Sequence, residues 1–298
     1  IEPSNISFPF RKIFQRSRNT QYRMTEVQSV VPEENKLVTE DGDFHYDQLV
    51  IATGCKTNFF GNSKMEHLTF GMKNTQEAIS IRNHVLLTFE KLIIEKRRSD
   101  DGNWNIVIVG SGPTGVELAG AFAEMKKYIL PRDYPHMNFD ELKIILISST
   151  EKPLTSMSVE SQQKSEEYLK EFGVIFMKGE MVTGYDGEKV YMQSGKEIAS
   201  NNVIWAAGVT GNVIDGMKPE VVFRNRYKTD RYNRVLGYEN IYAIGDIAYM
   251  ETPKYPDGHP QVANVAINQG KNLGKNFLKK NRSDWKEYEY KDQGNMAT

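Results

Sequence analysis

The sequence predicts an α/β fold of two Rossmann-like, three-layer ββα domains, the first incomplete and interrupted by the second. Three features predict it: a supersecondary unit that occurs twice, a strand–turn–helix built on Gly110-Ser111-Gly112-Pro113-Thr114-Gly115, and no matching glycine turn in residues 1–24, ahead of the first copy.

The repeat is read from two stretches. One runs from Thr25-Glu26-Val27 through a turn at Asp41-Gly42 to Leu49-Val50-Ile51-Ala52-Thr53-Gly54, the other from Glu180-Met181-Val182 through Ser194-Gly195 to Val203-Ile204-Trp205-Ala206-Ala207-Gly208. Val27 precedes Gly54 by 54 − 27 = 27 residues and Val182 precedes Gly208 by 208 − 182 = 26, each with period-2 alternation and a Gly turn between. Each copy therefore reads as a short β-meander followed by an apolar strand ending in Ala-x-Gly, where a missing side chain lets backbone approach a ligand.

Between the copies the pattern changes to α/β units. A strand at Asn105–Val109 leads through the Gly-rich turn into a helix from about Thr114 to Ile129, then a strand at Lys143–Ile147. A helix from about Val159 to Phe172, capped by Ser158 and stopped by Gly173, feeds a strand at Val174–Phe176. Thr75 to Glu95 reads as an amphipathic helix capped at Asn74 or Thr75, followed by a charged turn, Lys96 to Gly102. These limits predict three segments: 1–102, the partial first domain with its connecting helix; 103–215, the inserted domain; and 216–298, the return to the first.

Composition excludes several classes. With 39% apolar residues, 26% charged and net charge −1, the chain has no basic excess for a nucleic acid. Its longest apolar runs, such as Ile144–Ile147 and Ile106–Val109, are strand-length, far short of the roughly 20 residues a membrane span needs. The single cysteine, Cys55, rules out an internal disulfide and a CxxC thiol pair and reads as a small thiol near a strand end. The five histidines lack metal-ligand spacing, so no metal site is predicted. The chain opens at Ile1 with no leader-like segment and closes at Met296-Ala297-Thr298, and the expectation is that a preceding and a following segment exist.

Because it follows a strand and opens a helix, the Gly110–Gly115 motif predicts dinucleotide binding. Gly110 makes the tight turn, Gly112 brings backbone N–H groups to a pyrophosphate, and Gly115 lets helix and strand pack closely, with Pro113 and Thr114 in the turn. The second strand ends in Ile147-Ser148-Ser149-Thr150-Glu151-Lys152, without the usual ribose-binding carboxylate. Ser148 is the expected ribose partner, Glu151 reaches it only if the loop permits, and Lys152 substitutes poorly for a bidentate arginine. NADH is thus favoured modestly over NADPH.

These residues resemble the type II NADH:quinone oxidoreductases, single-chain flavoproteins. Gly110 through Gly120 is similar to their nicotinamide-domain signature, and Leu49–Gly54 and Ile241-Tyr242-Ala243-Ile244-Gly245-Asp246 resemble their two flavin-contacting segments. The likeness continues through Pro260–Gly270 and the closing Asp292–Thr298. It implies FAD in the domain formed by 1–102 and 216–298, NADH in 103–215, and a glycine motif before residue 1 and an amphipathic membrane anchor after residue 298.

Site roles follow from the resemblance. Asp246, after Gly245, reads from sequence as a carboxylate at the positive end of a helix, either an ordinary cap or, as the family implies, the ligand of the flavin's ribityl chain. Ala52, Thr53 and Gly54 would lie against the flavin, with Ala266 also on the cofactor and the Val27 backbone near its adenine. Ala207 and Gly208 would meet the nicotinamide nucleotide. Glu117 reads equally as a dipole-complementing residue or as the catalytic residue; the family places it at the nicotinamide end. Ala263, Asn264 and Asn268 correspond to the quinone-side segment, the asparagines standing where glutamine is common. The implied enzyme is a non-proton-pumping NADH dehydrogenase of the respiratory chain, peripheral on the cytoplasmic face of the cell membrane, with a homodimer allowed. Two other readings stay open: a related NAD(P)H flavoprotein reductase with a protein or oxygen acceptor, and a fragment that binds nucleotide without turnover.

Overall fold

The computed structural model describes residues 6–95, 102–292, 294 and 297; the charged turn from Lys96 to Asp101 and most of the closing Asp292–Thr298 stretch lie outside the described residues. In chain order the strands are β1 (Val27–Val31), β2 (Lys36–Thr39), β3 (Gly42–His45), β4 (Leu49–Ile51), β5 (Cys55–Thr57), β6 (Phe70–Gly71), β7 (Ile106–Val109), β8 (Ile144–Ile147) and β9 (Ile175–Met177). They continue with β10 (Val182–Tyr185), β11 (Lys189–Met192), β12 (Glu197–Ala199), β13 (Asn202–Trp205), β14 (Val209–Gly211), β15 (Val222–Phe223), β16 (Arg226–Thr229), β17 (Ile241–Ala243) and β18 (Ala248–Met250). The helices are α1 (Phe10–Phe14), α2 (Ser63–Leu68), α3 (Thr75–Glu95), α4 (Pro113–Glu124), α5 (Leu130–Asp133), α6 (Val159–Glu171) and α7 (Ala263–Phe277).

The chain forms two compact units: Thr57–Gly208, and a split unit made of the described residues up to Lys56 with Val209–Gly294. The sequence placed the limits near 102 and 215. The first falls earlier because α3 puts Ile81, Val85 and Phe89 into one core with Ile106, Ile108 and Ile144, and because β6 pairs with β13; the second lies at Gly208.

In the 57–208 unit a parallel sheet runs β9–β8–β7–β13–β6. Its central strands β8, β7 and β13 are buried at every position because both faces are covered, whereas β9 and β6 at the edges are less buried. Ile106, Ile108, Leu146 and Ile204 point to α3 and α4. Val107, Val109, Ile147 and Trp205 point the other way, to the meander β10–β11–β12 with Tyr185, Val190 and Met192. Helix, sheet and meander are the three layers of the expected ββα domain.

The helix starts follow local chemistry. Asn74 Oδ1 accepts the Glu77 N–H at 2.9 Å while Glu77 Oε2 accepts the Asn74 N–H at 3.2 Å, a reciprocal capping box for α3. Ser158 Oγ accepts the Ser161 N–H at 3.2 Å to cap α6, and Gly173, at φ +75°, follows its end. The helix expected from Thr114 to Ile129 differs: α4 ends at Glu124 and passes through a π turn, Met125–Ile129, into α5. Nothing in the hydrophobic spacing distinguishes that wider turn from α-helix.

The split unit repeats the design in part. Its meander β1–β2–β3 has a register shift in the first strand between Val27 and Ser29, as β10 has between Val182 and Gly184. Strand β4 runs parallel to β17 as β13 does to β6. Among the described residues β4 has that one partner. Val30, Ile51, Tyr227, Val235, Ile241 and Ala243 form this unit's core.

Candidate functional site

In the 57–208 unit the sheet order reverses direction at β7/β13, the position where open α/β sheets bind ligands beyond the carboxyl ends of their strands. Ala206 N donates to Val109 O at 2.8 Å and brings the two strand ends together. Gly110 turns at φ +109°, and a Cβ there would lie 2.5 Å from the Ala206 oxygen, beside Ala207. A Cβ at Gly115 would collide with the Gly110 carbonyl. Gly112, by contrast, is exposed and a Cβ on it would meet nothing within 4 Å. No side chain caps α4, and Pro113 brings no N–H, so the first-turn amides of Thr114 and Gly115 lie outside the helix ladder. An uncapped helix start behind an open glycine fits a pyrophosphate. Glu117 is half-buried one turn further along α4, and Gly208 is exposed at φ +149° where β13 ends.

Ser148 is not placed as the sequence anticipated. Only 5% exposed, its Oγ lies 2.7 Å from Ser111 Oγ and 2.8 Å from Thr150 Oγ1, and it accepts the Thr150 N–H at 3.2 Å. That hydroxyl ties the second strand end to the glycine turn, and the adjacent loop is fixed further by Leu154 N donating to Ser111 O at 2.9 Å. The Glu151 carboxylate lies over Gly179, 2.7 Å from where a Cβ would be, and Lys152 pairs with Glu166 at 2.9 Å. The exposed hydroxyl next in line is Ser149.

In the split unit, parallel pairing of β4 with β17 sets Ala52-Thr53-Gly54 beside Ile244-Gly245-Asp246, and Ile244 N donates to Ile51 O at 3.0 Å. Ala52 and Thr53 are exposed. Thr53 Oγ1 donates to Asn212 O at 2.7 Å, and Asn212 N donates back to Gly54 O at 3.0 Å. Gly54 (φ +67°) has open space where a Cβ would be, and a Cβ at Gly245 (φ +73°) would lie 3.2 Å from the Ala266 Cβ. Val27 is on a different sheet, opposite Thr39 at the start of β1.

Asp246 does not open a helix of any length. Gly245–Ile247 is one 3-10 turn leading into β18, too short for an appreciable dipole, so the expected placement at the positive end of a helix is corrected. Its half-buried carboxylate instead accepts the Cys55 thiol at 2.9 Å, and its backbone oxygen accepts the Gln261 side-chain amide at 3.0 Å. Burial lowers the Arg226 guanidinium from its ordinary value while the Asp246 charge pulls it back up; it stays protonated at neutral pH. Helix α7 begins without a side-chain cap after Val262. Asn264 and Asn268, four residues apart, share a half-buried face, while Ala263 and Ile267 are exposed. Positive-φ glycine turns at two strand ends, open at Gly54, with an uncapped helix start on the same segment as Ala266, fit a flavin nucleotide.

Sequence reasoning singled out neither Gln261 nor Gln269 nor Arg226, and read Cys55 as a bland thiol. Only Gln269 left a signal: it is a polar residue spaced by four between Val265 and Leu273 on the buried face of α7.

A family model described as pyridine nucleotide-disulphide oxidoreductase matches residues 2–270. The chain is 28% identical over 325 residues to the type II NADH:quinone oxidoreductase Ndh of Mycobacterium tuberculosis, covering 100% of this chain and 67% of that one. It is 27% identical over 305 residues to the type II NADH:quinone oxidoreductase of Staphylococcus aureus, covering 99% and 73%. Among solved structures, NDH2 from Plasmodium falciparum in complex with NADH aligns with a TM-score of 0.86 at 19% identity, over 96% of this chain and 76% of the other. A ferredoxin reductase from Rhodopseudomonas palustris aligns at 0.76 and 17%, over 97% and 65%. At those identities the two structures bear on the fold alone.

Proposed function

The chain belongs to the pyridine nucleotide-disulphide oxidoreductase family, and from that premise we propose that it is an NADH dehydrogenase in which the 57–208 unit holds NADH, the split unit holds FAD, and electrons leave to a quinone. One observation carries this reading. Each unit ends two strands of its sheets in turns at positive φ: Gly110 and Gly208 after β7 and β13, Gly54 and Gly245 after β4 and β17. Two sites of one design suit a hydride donor and a hydride acceptor.

Bound FAD would supply the hydride acceptor and the route for electrons to the quinone. The residues bind and orient. Gly112, Thr114 and Gly115 present backbone N–H groups to the NADH pyrophosphate, Gly110 and Gly115 keep the strand and helix close enough to do so, and Glu117 and the Ala207-Gly208 strand end contact the nicotinamide half. Asp246 accepts a hydrogen bond from the ribityl chain while Ala52, Thr53, Gly54 and Ala266 lie against the flavin. Direct hydride transfer requires no protein nucleophile, and the Cys55 thiol and the Gln261 side chain hold the Asp246 turn in place. On α7, Ala263, Asn264 and Asn268 face the quinone, with amides one methylene shorter than the family's glutamines. The names of the two bacterial relatives support quinone as the acceptor. In this reading contact with a membrane quinone is peripheral, at the cytoplasmic face; among the described residues no helix is long and apolar enough to cross a membrane.

Steady-state NADH oxidation with a soluble quinone, ferricyanide, oxygen or a ferredoxin tests the acceptor. The quinone should give the highest kcat/KM among the physiological classes. Faster turnover with ferredoxin or oxygen would redirect the proposal to a protein- or oxygen-reducing enzyme, and a preparation unable to bind flavin would remove it altogether.

A further inference from the structure

The apolar face of α7 presents Val265 and Leu273 to the core, and between them, at the same spacing, stands Gln269, exposed by 0%. A side-chain amide in such a position carries a desolvation cost that a leucine would avoid, of about 1–3 kcal/mol for each polar group left unsatisfied. One half of the amide is satisfied: Oε1 accepts the Gly245 N–H at 2.7 Å. The other is not: Nε2 is buried and without a hydrogen-bond partner among the described residues. The orientation follows from chemistry, since a flipped amide would set one donor against another.

Gly245 is the residue before Asp246, and its φ of +73° sets the direction in which the next side chain leaves the backbone. Ala266, nearly one turn before Gln269 on α7, closes the space in which a Cβ at Gly245 would sit. Ile244 Cδ1 lies 3.7 Å from where a Cβ at Gly270 would be. The Asp246 turn therefore leans on α7 through Gln269 at its first residue and is held by Gln261 at the Asp246 carbonyl. Packing alone gives no reason for a glutamine at 269; fixing the turn does.

We propose that Gln269 is a positioning residue for the flavin site, its Oε1 holding the Gly245 N–H so that the Asp246 carboxylate is presented to the ribityl hydroxyls. This rests on the reading of the split unit as the FAD site. Gln269→Leu removes the acceptor but keeps the volume, Gln269→Asn keeps the amide but shortens its reach, and Gln269→Glu keeps an acceptor at the same length. The measurements are the dissociation constant of FAD, followed by flavin fluorescence, the visible circular dichroism of the flavin-loaded protein, and the melting temperature without flavin. Each variant is also made with Asp246→Ala.

The Leu and Asn variants should bind FAD about tenfold more weakly with an altered visible dichroism, the Glu variant should stay within about threefold of the parent, and the losses should vanish in the Asp246→Ala background. FAD binding and dichroism unchanged in the Leu variant would overturn the inference, as would losses that persist undiminished without Asp246. Should the Leu variant fail to fold, the Asn variant decides by the same criteria. If the parent itself binds no FAD, the reading of the split unit falls and this inference with it, an outcome distinct from a parent that binds and variants that match it.

Discussion

Gly112 and Gly115, three residues apart in one motif, answer to different physics. A methyl at Gly115 strikes the Gly110 carbonyl and must move backbone, whereas a methyl at Gly112 meets no protein atom within 4 Å. Gly115→Ala should therefore destabilise the 57–208 unit by about 3 kcal/mol or more. Gly112→Ala should leave the melting temperature nearly unchanged but weaken NADH at least about tenfold, since backbone approach to the pyrophosphate is what it obstructs. Calorimetric melting and NADH titration of both variants check this; equal effects on stability would show that Gly112 is a packing glycine. The tight turn at Gly110 and the close packing at Gly115 were legible because context and spacing specify them. Ser148 was not: its hydroxyl is turned inward by Ser111, 37 residues earlier, and strand-end position alone cannot say which of two adjacent serines faces out. Cys55 and Asp246, 191 residues apart, meet only because β4 and β17 pair.

At the scale of elements, α7 does two jobs with two faces. Its buried face carries Gln269 into the Asp246 turn, while its half-buried face carries Asn264 and Asn268. If Asn264 lies on the acceptor side as proposed, Asn264→Leu should raise the KM for a soluble quinone about tenfold and leave the rate of flavin reduction by NADH unchanged. Rapid-mixing reduction measured beside steady-state kinetics separates the two. Slower reduction with unaltered quinone kinetics would place this face elsewhere. Elements with strong local chemistry were readable from sequence, as the caps expected at Asn74 or Thr75 for α3 and at Ser158 for α6 illustrate. The π turn at Met125–Ile129 and the single 3-10 turn at Asp246 were not, because both depend on what the chain meets next rather than on its own composition.

At the scale of the whole molecule the duplication was the most legible feature, since nearly equal spacing of strand, turn and Ala-x-Gly survives where individual residues differ. The limits of the units were less so, because α3 and β6 join the 57–208 unit through packing and pairing that no local pattern announces. The split unit also contains a buried histidine. His259, 1% exposed, packs on Tyr255 at 5.2 Å, Tyr288 at 5.3 Å and Tyr290 at 6.0 Å, and neither ring nitrogen has a hydrogen-bond partner among the described residues. Burial lowers its pKa from the ordinary 6.5, with Arg226 and Arg231 acting in the same sense and Glu289 opposing. The neutral ring is the folded form, so its contribution to stability is complete above the unfolded value and is lost as pH falls from there toward the folded one. Melting temperature should fall between about pH 7.5 and pH 5.5 by more in the parent than in His259→Phe. Parallel curves would show that this histidine is not the titrating group.

In the proposed reaction hydride passes from a nicotinamide held by one unit to a flavin held by the other, and the electrons go on to quinone. The most direct test is anaerobic double mixing of the flavin-loaded protein, first with one equivalent of NADH and then with a soluble quinone, while the flavin's visible absorbance is followed. The account predicts bleaching by NADH, followed by full recovery on adding quinone at a rate no slower than steady-state turnover. Flavin that NADH leaves unbleached, or that bleaches and is not reoxidised by quinone, would contradict it.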